Sequence, residues 1–317
     1  MTNLTPEAAA NLFRETPHRF LDVGAGDVAY RRVGTGPDVL FIHGWPVSGA
    51  TFRTLLPHLV EHVTCHVIDF PGAGSSRFTA TTNITMAQHI ATVQRVVDLL
   101  ELTSVALVGH DSGGLIARHA MVGDSRLRAM GLIDTEQMRS GWRFKSFVAA
   151  RGIPGISRGL GWVAGQPKIR RNPLLLGGAF VDRSLLDGEF DEFFLRPLHE
   201  MAARRDAAIK LLKGFDKNHV SQFAQVHPRI NVPVQLVWGE NDPFFPVAWA
   251  REMVNTFPDA QLHVVPGAAL FSHEERPAEV AAALLPTLRG DCAALVTKDV
   301  GNARSESPEV HTIAGHR

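Results

Sequence analysis

Val105-Ala106-Leu107-Val108-Gly109-His110-Asp111-Ser112-Gly113-Gly114 is the stretch whose reading decides the fold. A short apolar run passes through a glycine-flanked corner into Leu115–Met121, whose spacing opens a helix. A strand that turns this sharply into a helix forms a strained elbow, and the residues flanking its apex must be small so that the two backbones can approach. Two frames fit the letters. With Asp111 at the apex the flanking positions are Gly109 and Gly113; with Ser112 the first would be His110, which is too large. Sterics therefore select Asp111.

Outward from the elbow, short apolar runs alternate with segments of helical period, the pattern of a mostly parallel sheet covered by helices. Val39–His43, Cys65–Phe70 and Val105–Val108 read as strands, and Met130–Ile133 as a fourth. Between them, 83–102 reads as a helix with Ile90, Val93, Val97 and Leu100 on one face. After Thr135 the rhythm breaks, and 137–217 mixes glycine, proline, arginine and phenylalanine without a clear strand. It resumes with strand Val232–Trp238, helix Val247–Phe257, strand Gln261–Val265 and helix Pro277–Leu288. This predicts a core over 18–136 and 218–290, a helical insertion over 137–217 lying on the sheet, and a mobile polar tail over 291–317.

Hydrophobic residues make up 45% of the 317, charged residues 20%, and the formal net charge is zero, which argues against nucleic acid or an anionic membrane surface as partner. The 15 histidines show no metal-ligand spacing, and neither a metal nor another cofactor is expected. Cys65 lies in a strand-like run and Cys292 in the tail, so a disulfide is not expected. With no basic leader and no long apolar span, the expectation is a cytoplasmic protein.

Several motifs in order resemble the haloalkane dehalogenase and epoxide hydrolase branch of the α/β-hydrolases. They are His43-Gly44-Trp45-Pro46, Asp69-Phe70-Pro71-Gly72-Ala73-Gly74-Ser75-Ser76, the elbow 109–114, Trp238-Gly239-Glu240-Asn241-Asp242-Pro243, and His273-Glu274-Glu275-Arg276-Pro277. The resemblance spans about residues 20 to 289. It implies an α/β-hydrolase fold with an inserted helical cap and Asp111 as nucleophile. A carboxylate attacking a carbonyl would make an anhydride, whereas at saturated carbon it displaces a leaving group and makes an alkyl-enzyme ester. Water activated by a histidine would then attack the ester carbonyl, with the backbone N–H groups of Trp45 and Ser112 as oxyanion donors. His43 and His110 are expected to hold turns. The acid orienting the histidine is expected at Asp242, with Glu136, beside Asp134, as the alternative.

The base is where the pattern fails. Aligned to the branch, Gly267-Ala268-Ala269-Leu270-Phe271-Ser272-His273 places Leu270 at the histidine. His273, about one helical turn later, is the candidate replacement; without it, ester hydrolysis is impaired or the chain is not an enzyme. The branch's epoxide hydrolases use tyrosines of the cap as proton donors. The chain has one tyrosine, Tyr30, placed before the first core strands. Halide would be cradled by indole N–H groups, with Trp45 well placed and Trp142 and Trp162 in the insertion, where packing is the alternative role. A haloacid would want an arginine beside Asp111; Arg118, Arg139 and Arg143 are the nearest candidates. The resulting expectation is a haloalkane-dehalogenase-like hydrolase of a small apolar organic substrate. The alternatives are a non-catalytic ligand-binding homologue, an epoxide hydrolase, and a serine esterase using Ser112.

Overall fold

A computed structural model describes residues 4–290; the tail expected over 291–317 lies outside the described residues. Eight strands form one sheet: β1 Arg19–Asp22, β2 Asp27–Gly34, β3 Asp38–Ile42, β4 Thr64–Asp69, β5 Val105–His110, β6 Leu127–Ile133, β7 Val234–Gly239 and β8 Ala260–Val265. Their spatial order is β1-β2-β4-β3-β5-β6-β7-β8. β1–β2 and β2–β4 are antiparallel and every other pairing is parallel. This is the α/β-hydrolase architecture that the sequence predicted.

Every residue of β4, β5 and β7 is buried, so the centre of the sheet is covered on both faces, as parallel strands made of continuous apolar runs require. Leu284, in the helix Pro277–Arg289, reaches Gly131 on β6, where a side chain in place of the glycine would come within 2.7 Å of it. Thr85 caps the helix Met86–Leu99, its side chain accepting from the Gln88 N–H at 3.2 Å.

Two strands differ from the sequence reading. β1 and β2 form a hairpin, and Tyr30 lies within β2 rather than ahead of the core. Neither strand is an apolar run. β2 carries Arg31 into the interior, where its guanidinium meets Asp69 at 3.2 Å and its Nε donates to the Leu12 carbonyl at 2.6 Å. A buried strand held partly by an ion pair gives no periodicity signal.

Between β6 and β7 the described chain is helical. Its longest pieces are Trp142–Ala150, Ile156–Ala164 and Ala202–Lys213, and it continues through Lys217–Ser221 and Phe223–Val226. Among the described residues no helix is long and apolar enough to cross a membrane.

Candidate active site

The elbow is built on sterics. Asp111 has φ 50° and ψ −133°, a conformation that an L residue holds only when its surroundings enforce it. A Cβ on Gly113 would lie 2.1 Å from the Ile42 carbonyl, and one on Gly109 would lie 2.6 Å from the Gly113 carbonyl. Both flanking glycines are thus required by contact. The Asp111 N–H is shared between the carbonyls of Ile133 and Asp134, at 3.2 and 3.1 Å, and its own carbonyl accepts from the Gly114 N–H and the Thr135 hydroxyl, at 2.9 and 2.7 Å.

The Asp111 carboxylate faces the turn after β3, where its Oδ2 accepts the Trp45 backbone N–H at 2.7 Å. Burial raises its pKa to about 6, against the opposing pull of the Ser112 and Trp45 backbone N–H groups. These are the two donors expected from sequence. The Ser112 hydroxyl, in the first turn of the following helix, is buried beside the Asp111 carboxyl and adds to that downward pull.

His43 donates from Nδ1 to the Gly44 carbonyl at 2.9 Å and accepts the Phe70 N–H on Nε2 at 3.0 Å, pinning the turn that presents Trp45. His110 donates from Nε2 to the Leu270 carbonyl at 2.9 Å, fixing the loop after β8.

Three more carboxyls are buried near Asp111. Glu136 is raised to about 8 by burial and then by the charge of Asp111, with Arg118 opposing. Asp242 is raised to about 8 by burial; the Phe245 and Phe244 N–H groups oppose this, while Asp111 adds to it. Asp134 is raised by burial and then by Asp242; it accepts the Ser272 hydroxyl and, at 2.7 Å, the Gly239 N–H. Asp242 Oδ1 takes the Phe244 and Phe245 N–H groups at 2.7 and 3.1 Å, but its Oδ2 is buried with no partner among the described residues. A carboxyl oxygen left without a partner in the interior is costly and keeps the group protonated up to about pH 8; in a triad it is where the imidazole N–H would bond.

Among the described residues no imidazole fills that place. Leu270, at the position aligned to the histidine, is buried. His273 is fully buried and its Nε2 bonds Thr51 Oγ1 at 2.8 Å. Its ring lies 5.7 Å from Phe52 and 4.4 Å from His110, and its Nδ1 has no partner. Burial, then His110 and Arg53, drive its pKa well below the usual value. A side chain so enclosed and so engaged is a packed core histidine.

Of the expected halide donors, one is engaged elsewhere and two are exposed. The Trp45 indole N–H is donated to the Ala208 carbonyl at 2.8 Å, and Trp142 and Trp162 are 71% and 57% exposed. Tyr30 bonds its hydroxyl to His66 Nδ1 at 2.7 Å. Arg139 pairs with Glu252 at 3.1 Å with both side chains well exposed. Arg143 sits over Phe244 at 5.4 Å.

Arg118 lies beneath the elbow, fully buried. It donates Nε to Gly114 O at 2.9 Å and Nη2 to Thr135 Oγ1 and Glu136 O at 3.0 and 2.9 Å. Thr135, which links this cation to the Asp111 carbonyl, carries no motif that would have revealed it. The same holds for Thr51, the partner of His273. Among the described residues no group of histidine, cysteine or carboxylate side chains could hold a metal ion.

An eight-stranded, mostly parallel sheet with a strained strand–helix elbow and a helical segment before β7 defines a hydrolase fold. The chain belongs to the alpha/beta hydrolase fold family, whose pattern matches residues 37–277. A pimeloyl-[acyl-carrier protein] methyl ester esterase of Xanthomonas campestris pv. campestris is 31% identical over 265 residues, 78% of this chain and 94% of that protein. Haloalkane dehalogenase 2 of Mycobacterium tuberculosis is 26% identical over 279 residues, 84% of this chain and 93% of that protein. Among solved structures, a membrane phospholipase A superposes with a TM-score of 0.74 at 20% identity, over 91% of this chain and 90% of that one. That last likeness speaks for the fold alone.

Proposed function

We propose that this hydrolase is of the haloalkane-dehalogenase type, acts through Asp111, and forms its alkyl-enzyme ester faster than it hydrolyses it. The observation that carries the reading is Asp111 at the elbow apex with Oδ2 2.7 Å from the Trp45 N–H. One carboxylate oxygen sits among the oxyanion donors and the other is left to attack. Attack on a saturated carbon forms the C–O bond as the carbon–halogen bond breaks and halide leaves with its electron pair. Water must then add to the Asp111 carbonyl carbon and lose its proton to a base, and none of the described imidazoles is placed as that base. With the Trp45 indole bonded to Ala208 and Trp142 and Trp162 exposed, the leaving group gains little help, so the first step is also slow. An epoxide substrate fits poorly, because the single tyrosine is occupied on β2.

Incubation with 1-bromobutane should release bromide and add one butyl group to the peptide carrying Asp111. Asp111→Asn should abolish both, whereas Ser112→Ala, which keeps its backbone N–H, should retain both. Loss in Ser112→Ala with retention in Asp111→Asn would transfer the chemistry to the serine. A second reading, a ligand-binding homologue without turnover, draws on the bare Asp242 Oδ2. It predicts neither bromide nor adduct from the unaltered protein.

A further inference from the structure

The zero formal charge of the whole chain conceals a local excess. From Gln137 to Val181 the sequence holds eight lysine and arginine residues and no aspartate or glutamate. Three of the eight find a carboxylate: Arg139 pairs with Glu252, Arg170 with Asp187 and Asp191, and Arg171 with Asp187. Arg143, Lys145, Arg151, Arg158 and Lys168 make no ion pair among the described residues. What a surface attracts depends on how charge is distributed rather than on its sum. The expectation of no anionic membrane partner, drawn from the total, therefore does not extend to this stretch.

The same stretch carries the exposed apolar side chains. Of the eight large ones that stand exposed among the described residues, seven lie between 137 and 181, with Leu174 at 71%, like Trp142, and Ile153 at 57%, like Trp162. The helix Trp142–Ala150 has two distinct faces. Phe144 and Phe147 turn inward, onto Phe215 at 5.4 Å and Trp45 at 4.8 Å, and Val148 is buried. Trp142, Lys145, Ser146 and Ala149, at spacings of three and four, are exposed. The turn carrying Leu174 adjoins the start of this helix, because Gly178 is crowded by both the Pro173 carbonyl and the Arg143 guanidinium. Ile153 follows the helix's other end. On the next helix, Ile156–Ala164, Arg158 and Trp162 are exposed four residues apart, on one side.

Indole and aliphatic tips interleaved with unpaired cations match the interface of a bilayer whose headgroups are anionic: the tips enter the acyl boundary and the cations meet phosphate. A nucleic acid would satisfy the cations but leave Ile153 and Leu174 against water. A second copy of this chain would cover the tips, yet a two-fold contact of this face with itself sets one positive excess against another. We infer that the outward face of the helical segment, centred on Trp142, Lys145, Ile153 and Leu174, docks on the surface of an anionic lipid bilayer. Phe147, on the inward side of the same helix, touches Trp45, so docking brings the helix that packs on the turn after β3 against lipid. The inference does not depend on Asp111 being a nucleophile.

Vesicles of phosphatidylcholine and phosphatidylglycerol in equal parts should carry the protein upward in a flotation gradient. Vesicles of phosphatidylcholine alone should bind it at least about tenfold more weakly, and high salt should release it from the anionic ones. Lys145→Glu should weaken binding at least about fivefold, and Arg19→Glu, the same change of charge on β1, less than about twofold. Trp142→Ser combined with Leu174→Ser should weaken it about tenfold. If that double variant does not fold, quenching of tryptophan fluorescence by brominated acyl chains decides; it should occur in the unaltered protein and diminish in Trp142→Phe. Absence of flotation, equal binding to neutral vesicles, or equal losses in Lys145→Glu and Arg19→Glu overturns the inference. So does binding of duplex DNA in place of vesicles, or a dimer in sedimentation velocity that the double variant dissociates.

Discussion

At the scale of single residues, Leu270 concentrates what is unusual about this chain. Its loop packs on the end of β7: the Asn241 N–H donates to the Ala268 carbonyl at 2.9 Å, and Gly239 has no room for a side chain beneath Ala269. An imidazole introduced there is predicted to reach Asp242, whose Oδ2 has no partner among the described residues. Leu270→His is therefore expected to accelerate hydrolysis of the alkyl ester by on the order of 10² to 10⁴, the usual worth of general-base help, while barely changing its formation. Rapid-quench measurement of bromide burst against steady-state release separates the two steps. His273→Ala should leave both steps alone and lower stability, because it removes a fully buried ring from Phe52 and His110. Steady-state release lost in His273→Ala and not gained in Leu270→His would make His273 the base after all. The elbow was legible in sequence because two glycines are dictated by contact. The direction of His273 was not, since sequence spacing places a residue within a turn of another but says nothing of Thr51, 222 positions away, which captures its ring.

At the scale of elements, the junction between core and helical segment hangs on Trp45. Its backbone N–H serves Asp111 while its indole N–H holds Ala208, inside the helix Ala202–Lys213, and its ring packs on Phe147 at 4.8 Å. One residue thus couples the turn after β3 to two pieces of the overlying segment. Trp45→Phe keeps the backbone donor and the aromatic contact but deletes the tie to Ala208. The expected result is faster amide hydrogen exchange across 202–213 with exchange in β5 unchanged; unchanged exchange across 202–213 would show that other contacts hold the helix. Parallel strands could be read from sequence because both of their faces are apolar. The β1–β2 hairpin could not, because Arg31 and Asp69 neutralise one another inside the sheet edge, and a pattern of apolar letters does not register an internal ion pair.

At the scale of the whole molecule, buried titratable groups of both signs give stability a maximum. His89 and His110 are lowered to about 3 and His227 to about 2, in each case first by burial. An unfolded chain takes up protons on these rings below about pH 6.5, and the folded chain does not, so acidification below that value favours unfolding. Glu136 and Asp242 work in the other direction. Raised to about 8, they stay protonated in the fold while the unfolded chain ionises above about pH 4, so folding binds protons and stability falls as pH climbs toward 8. From about pH 6.5 to 8 the histidines no longer oppose this. Melting temperature should therefore decline across that interval, and Asp242→Asn should flatten the decline. A decline equally steep in Asp242→Asn would remove Asp242 as its cause.

The bare oxygen of Asp242 also bears on what the proposed reaction would accomplish in quantity. A catalyst is judged by how fast it works, because each copy returns to its starting state. Under the proposed function, an Asp111 carboxylate that accepts an alkyl group faster than it sheds it would be spent after one event, and exposure to an alkylating compound would be answered mole for mole. Under those terms the useful variable is the number of copies present, and a dose larger than that number passes through unopposed.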